Sequence, residues 1–93
     1  MEFYISEFEW DEANEGHIWD RHKVRPEEVE ECFFNHPRKI TRKPKSRDRY
    51  YLFGRTDGGR YLFIVFQYKG FGIVRPISAR DMDRKERAFY EKP

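Results

Sequence analysis

The sequence predicts an α+β domain, an antiparallel sheet of four to five strands with helices packed on it, in the order β-α-α-β-β-β-β-α. Three observations carry that expectation. Tyr61-Leu-Phe-Ile-Val-Phe-Gln-Tyr68 holds an unbroken apolar run, Leu62 to Phe66, too short for a buried helix and too continuous for a strand wet on one face. Glycines bracket it, Gly58-Gly59 before and Gly70 after, so hairpins join it to its neighbours and it reads as the central strand. Upstream, two segments open with helix-starting residues, Asp11-Glu12 and Pro26-Glu27-Glu28.

In chain order, Phe3 to Phe8 is short, aromatic and partly alternating, which predicts an edge strand. Asp11 then caps a helix that runs to about His22, with Glu12 in the first turn where the helix dipole favours an acid. Ile18, Trp19 and His22 form its narrow inward face. Pro26 fits the first position of a second helix, whose buried stripe is Val29, Cys32 and Phe33 and which His36-Pro37 ends. A basic loop follows between Ile40 and Tyr50. Arg49 to Arg55 is a strand with Arg49, Tyr51, Phe53 and Arg55 on one face by period two. Thr56-Asp-Gly-Gly59 turns it into the central strand, and Lys69-Gly70 turns that strand into Ile73–Arg80. Pro76 has no N–H to give to a ladder, so this last strand lies at an edge or carries a bulge. Asp83 with Glu86 is an aspartate capping box for a short final helix with Phe89 or Tyr90 inward.

Ninety-three residues make one domain, and aromatics at 18% supply much of its core because small aliphatics are scarce. Charged residues reach 39%, and the net charge of +2 hides a split. Residues 1–36 hold 11 acids and 3 bases, net −8, whereas residues 37–93 hold 6 acids and 16 bases, net +10. Such asymmetry makes the second part a candidate polyanion-binding surface. A single cysteine, Cys32, precludes an internal disulfide and fits a reducing cytoplasm; no signal peptide or membrane span is expected.

Chemistry narrows by elimination. His17 and His22 sit about 140° apart around a helix, and Cys32 with His36 lacks a second ligand pair, so no metal site is expected. None of Ser6, Ser46 and Ser78 lies in a nucleophile elbow, and no glycine-rich loop leads from a strand into a helix, so no cofactor is expected. What remains is His22 amid arginines. Arg75 and Arg80 fall on opposite faces under strict alternation and converge only if the strand ends or bulges near Ser78-Ala79. The guanidinium fork suits a phosphodiester better than an ammonium does.

Phe8-Glu-Trp-Asp11 opening a helix, Arg21-His22 closing it, Val24 before a Pro-Glu-Glu helix, Arg49, Gly54-Arg-Thr-Asp57, Arg75-Pro-Ile-Ser-Ala-Arg80 and Glu86-Arg87 with Tyr90 together resemble the BrnT toxin family over nearly the whole chain. Asn14, Ile18 and Lys23 stand where lysine, asparagine and glycine are common in that family, and a left-handed turn at Lys23 would cost about 1 kcal/mol more than at glycine. The resemblance implies a RelE-like fold and a metal-independent endoribonuclease toxin of a bacterial toxin–antitoxin pair. Its partners would be RNA, a small ribbon-helix-helix antitoxin of BrnA type, and operator DNA through that antitoxin only. Carried over by position, the site residues are His22, Arg49, Arg75 and Arg80, with Arg21 where a base is usual. In the implied mechanism His22 moves the proton, Arg75 and Arg80 steady the phosphoryl charge, and Arg49, Arg55, Arg38, Lys39, Arg42 and Lys43 hold the strand. A catalytically inactive toxin-like module that binds RNA or an antitoxin is the competing reading.

Overall fold

Leu62–Phe66 does lie at the centre. The computed structural model describes residues 3–93 and, among these, gives β1 (Glu7–Phe8), α1 (Glu12–His22), α2 (Pro26–Phe34), β2 (Lys39–Arg42), β3 (Arg49–Arg55), β4 (Tyr61–Tyr68), β5 (Ile73–Asp81) and α3 (Arg84–Glu91). The strands form one sheet in the order β1-β5-β4-β3-β2. The expected element order is reproduced. The sheet, however, is mixed rather than antiparallel, because β1 runs parallel to β5 with Glu7 beside Ile73 and Phe8 beside Val74. This first strand is also shorter than Phe3–Phe8. Its partner begins only at Ile73, after the Gly70–Gly72 turn, so residues before Glu7 have no ladder to join. Phe3 instead packs its ring against Tyr50, Phe66 and Tyr68.

The two sheet faces differ. Leu62, Ile64 and Phe66 of β4, Leu52 of β3 and Val74 and Ala79 of β5 are fully buried against Ile18, Val24, Val29, Cys32 and Phe33 from α1, α2 and the link between them. Gly54 lies on this face because α2 comes close: a Cβ there would sit 3.1 Å from the Cys32 carbonyl. On the opposite face Tyr61, Phe63 and Val65 are only half-buried, so β4 is not fully covered on both sides as its composition predicts. Helices α1 and α2 take one face and only α3 reaches the other, through Phe89 against Phe53. Between them, Tyr51, Phe53 and the Arg80 guanidinium cover Phe63.

The helix caps match their sequence signals. Asp11 accepts from the Ala13 and Asn14 backbone N–H groups, and Asp83 from that of Glu86. The inward line of α1 differs from the expected one. Asn14 and Ile18, one turn apart, are buried, while Trp19 is rotated off that line, 45% exposed, with the Lys23 ammonium 5.3 Å from its ring centre. At the end of α3, Tyr90 turns inward and donates to the Pro37 carbonyl at 2.7 Å.

Candidate functional site

The open sheet face collects the cations. Register alone places them: Arg49 pairs with Gln67, Arg55 with Tyr61, Arg75 with Gln67 and Arg80 with Phe63, and Phe63 and Gln67 share one face of β4. Arg75 and Arg80 are five residues apart on β5 but face residues four apart on β4. The extra residue is Ile77, between the Phe66–Pro76 and Val65–Ser78 pairs. This β-bulge shifts the alternation and brings both arginines to the same face. Pro76, which has no N–H for the ladder, marks the place, slightly before the Ser78-Ala79 position that alternation suggests.

A buried amide braces the bulge from behind. Asn14 Nδ2 donates to the Pro76 carbonyl at 2.9 Å and to the Glu9 carbonyl at 2.9 Å, while its Oδ1 accepts from the Asp11 backbone at 2.8 Å. One side chain thus joins the start of α1, the end of β1 and the bulge. The sequence marks Asn14 only as a departure from lysine; its place one turn before Ile18 is the signal of burial.

Each arginine of the bulged strand is held by acids. Arg75 donates to Asp11 from Nη1 at 2.9 Å and Nη2 at 3.3 Å and reaches Glu9 at 3.2 Å. The hydrogen bond from Arg75 is the first cause holding the Asp11 carboxyl below its ordinary range, and Lys69 has that role at Glu9. Arg80 forms a two-bond fork with Glu86 at 2.8 and 2.7 Å, and Glu86 also closes the capping box of α3 through the Asp83 N–H. Both guanidiniums are therefore positioned before any ligand arrives. Along the strand their attachment points are about 13 Å apart, four rises of β4, and they lean to opposite ends, toward α1 and toward α3. Arg49 is exposed and, among the described residues, forms no ion pair.

The other candidates divide between the two faces. Lys39 is on the open side, its Nζ donating to the carbonyls of Phe89 and, at 2.6 Å, Lys92. With Arg38, Arg55, Tyr61 and Tyr90 it lines a pocket of about 550 Å³ beside α3. Arg42 pairs with Tyr50, on the helix side, and its guanidinium lies 5.3 Å from that ring centre; Lys43 begins the loop after it. His22 and Arg21 close α1 in the helix layer. No hydrogen bond joins the His22 ring to Arg75 or Arg80 among the described residues. The nearest link is Asp81, which follows Arg80 and bridges to Arg60 at 2.7 Å. Arg60 in turn donates to the His22 carbonyl at 2.9 Å and the Lys23 carbonyl at 2.8 Å. Sequence reasoning missed Arg60, the residue tying the end of α1 to β5; its place directly after the Thr56–Gly59 turn is the only signal.

Comparison with known proteins fits this architecture. A family model described as the ribonuclease toxin BrnT of type II toxin–antitoxin systems matches residues 10–86, which include α1, the bulged strand and the start of α3. The crystal structure of the Brucella abortus ribonuclease toxin BrnT is similar with a TM-score of 0.63 at 21% sequence identity, over 81% of this chain and 94% of that one, a likeness of fold. No curated protein sequence matches. With most of its length matched by that model, from the cap of α1 to the arginine-bearing strand, the chain belongs to the BrnT family of ribonuclease toxins of type II toxin–antitoxin systems.

Proposed function

We propose that this chain is an endoribonuclease that cuts single-stranded RNA without requiring a metal ion and thereby restrains translation and growth, until a small DNA-binding antitoxin of ribbon-helix-helix type covers it. The observation that carries the reading is the bulge at Ile77, which puts Arg75 and Arg80 on one uncovered face together with Arg49 and Arg55. An RNA strand laid across that face meets guanidiniums at both ends of its path and aromatic rings between them.

In the proposed reaction the RNA's own 2′-oxygen attacks the adjacent phosphorus as its proton leaves. The P–O5′ bond breaks and the departing 5′-oxygen takes up a proton, giving a 2′,3′-cyclic phosphate and a 5′-hydroxyl. Arg80, anchored by Glu86, donates to the non-bridging oxygens as charge develops there, and Arg75, anchored by Asp11 at the other end of the face, holds a phosphate farther along the strand. His22 is the proposed proton-transfer residue, acting where the strand rounds the Arg80–Asp81 end of β5, and general acid–base work of this kind contributes about 10²–10⁴ in rate. Arg49, Arg55, Arg38, Lys39 and the cations following β2 hold the backbone, so binding weakens steeply with salt.

The test is cleavage of a long RNA in excess EDTA by wild type, by an Arg75→Ala/Arg80→Ala double variant and by His22→Ala. Wild-type cleavage that ends in cyclic phosphates and is lost in the double variant is the expected result. Cleavage undiminished in His22→Ala removes that residue from the scheme while leaving the arginines in it. Binding without cleavage by wild type, on free RNA and on ribosomes alike, favours the non-catalytic module.

A further inference from the structure

The hairpin between β4 and β5 ends in a conformation that stability alone does not favour. Gly70, Phe71 and Gly72 all have positive φ, 84°, 53° and 81°. Phe71 is 94% exposed. A bulky aromatic in the left-handed region is a true outlier, disfavoured where glycine or asparagine would be at ease, and its side chain here buries nothing in return. The turn is nonetheless held firmly. Ser6 Oγ donates to the Phe71 carbonyl at 3.1 Å, and the Ser6 and Glu7 N–H groups donate to the Gly72 carbonyl at 2.8 and 3.2 Å. A Cβ on Gly72 would lie 2.6 Å from Ser6 Oγ, so only glycine lets the two segments meet this closely. Tyr68 completes the tie, its hydroxyl accepting from the Gly72 N–H and donating to the carbonyl of Tyr4. Tyr4 itself is 73% exposed, a second aromatic ring presented at the same tip.

What lies beside this tip indicates the ligand. The loop between β2 and β3 carries Lys43, Lys45 and Arg47, and Arg49 opens β3; none of the four forms an ion pair among the described residues. It reaches the same end of the sheet, where the Asp48 carbonyl accepts from Tyr68 N–H at 2.8 Å and Arg49 pairs with Gln67. Asp48, the acid of that loop, is occupied by Gln67 Nε2 at 2.7 Å. Exposed rings on a rigid support beside unpaired cations are the combination that takes a single-stranded nucleic acid, the cations tracking phosphates and the rings stacking bases.

Building on the ribonuclease reading, we infer that Phe71 is a nucleobase-stacking residue that grips the RNA outside the cleavage position, at the Arg75 end of the open face, with Tyr4 as a neighbouring platform. The held turn fixes the backbone that carries the ring, so little main-chain freedom is lost when a base lands on it.

The test measures binding of short 2′-O-methyl oligonucleotides, which lack the attacking hydroxyl, in base-bearing and abasic forms. Phe71→Ala should weaken binding of the base-bearing oligomer by roughly 5- to 150-fold and leave the abasic one unchanged, while Phe71→Trp should preserve both. Phe71→Gly serves as the control for folding: it should melt above wild type while binding as weakly as Phe71→Ala. Equal affinities of wild type and Phe71→Ala for the base-bearing oligomer would overturn stacking, leave the ribonuclease reading standing and make the tip a contact for a protein. Equal losses on both oligomers would also overturn it, because the ring would then serve the backbone site. Failure of wild type to bind either form would sink this inference and the RNA reading together.

Discussion

Replacing Asn14 tests whether a buried amide, rather than the ladder, holds the arginine-bearing bulge. Asn14 is 5% exposed and its side chain makes hydrogen bonds to the Asp11 N–H, the Glu9 carbonyl and the Pro76 carbonyl. At about 1 kcal/mol net for each bond, Asn14→Ala should lose about 3 kcal/mol. For a domain of this size that lowers the thermal midpoint by roughly 12–24 °C. Asn14→Asp should be worse at neutral pH, since it turns a carboxylate oxygen toward two carbonyl oxygens. The charged form is then disfavoured by folding, the folded pKa is raised, and stability should return as pH falls and the carboxyl gains a proton able to reach Pro76. The assay is thermal unfolding of the three proteins at pH 7 and at mildly acidic pH. An alanine variant within about 4 °C of wild type, or an aspartate variant whose deficit does not shrink with acid, would refute the bracing role.

Three further outcomes are expected. Lys23 ends α1 at φ 55° and ψ 44°, in the left-handed conformation that its sequence disfavours, so Lys23→Gly should raise stability by about 1 kcal/mol in denaturant unfolding. The Cys32 thiol, fully buried and pushed up to about 12 chiefly by desolvation, should resist thiol reagents at pH 8 and be modified only as fast as the protein opens. Asp81 is held low first by the Arg60 hydrogen bond, and Glu9 and Asp11 are held low as well. A folded pKa below the unfolded one stabilises above it, so that stability is lost as pH drops below about 4. Arg60→Ala should make this acid limb shallower when midpoints are followed from pH 6 to pH 2.

The helices and hairpins were legible because local chemistry defines them: Asp11, Pro26 and Asp83 start helices, and glycines end strands β3 and β4. The parallel pairing of β1 was not, since nothing within Phe3–Phe8 records where its partner begins; Gly72, some sixty residues on, decides it. The site was legible in part. Pro76 announced an irregular strand, and an irregular strand is what lets Arg75 and Arg80 share a face. The offset of Ile77 depends on β4 and on Asn14, which no local pattern encodes. Trp19 is apolar yet faces outward, because the line from Asn14 to Ile18 sets the buried stripe. Phe71 shows no sequence signal beyond its flanking glycines, since strain at a residue is visible only in φ.

The division of charge along the chain becomes a division in space. Glu12, Glu15, Asp20, Glu27 and Glu31 belong to α1 and α2, behind the sheet, while Arg49, Arg55, Arg75 and Arg80 belong to its open face. At a net charge of +2 the molecule feels little pull from a distant polyanion. What it feels instead is a torque. At physiological ionic strength fields fade over about 8 Å, well short of the molecule's smallest extent of 25 Å. On the proposed RNA-binding reading, turning takes place in the last few layers of water: an approach with the helices foremost would be repelled and one with the sheet foremost would be kept. The acids of α1 and α2 would then raise the rate of productive encounter without touching the RNA.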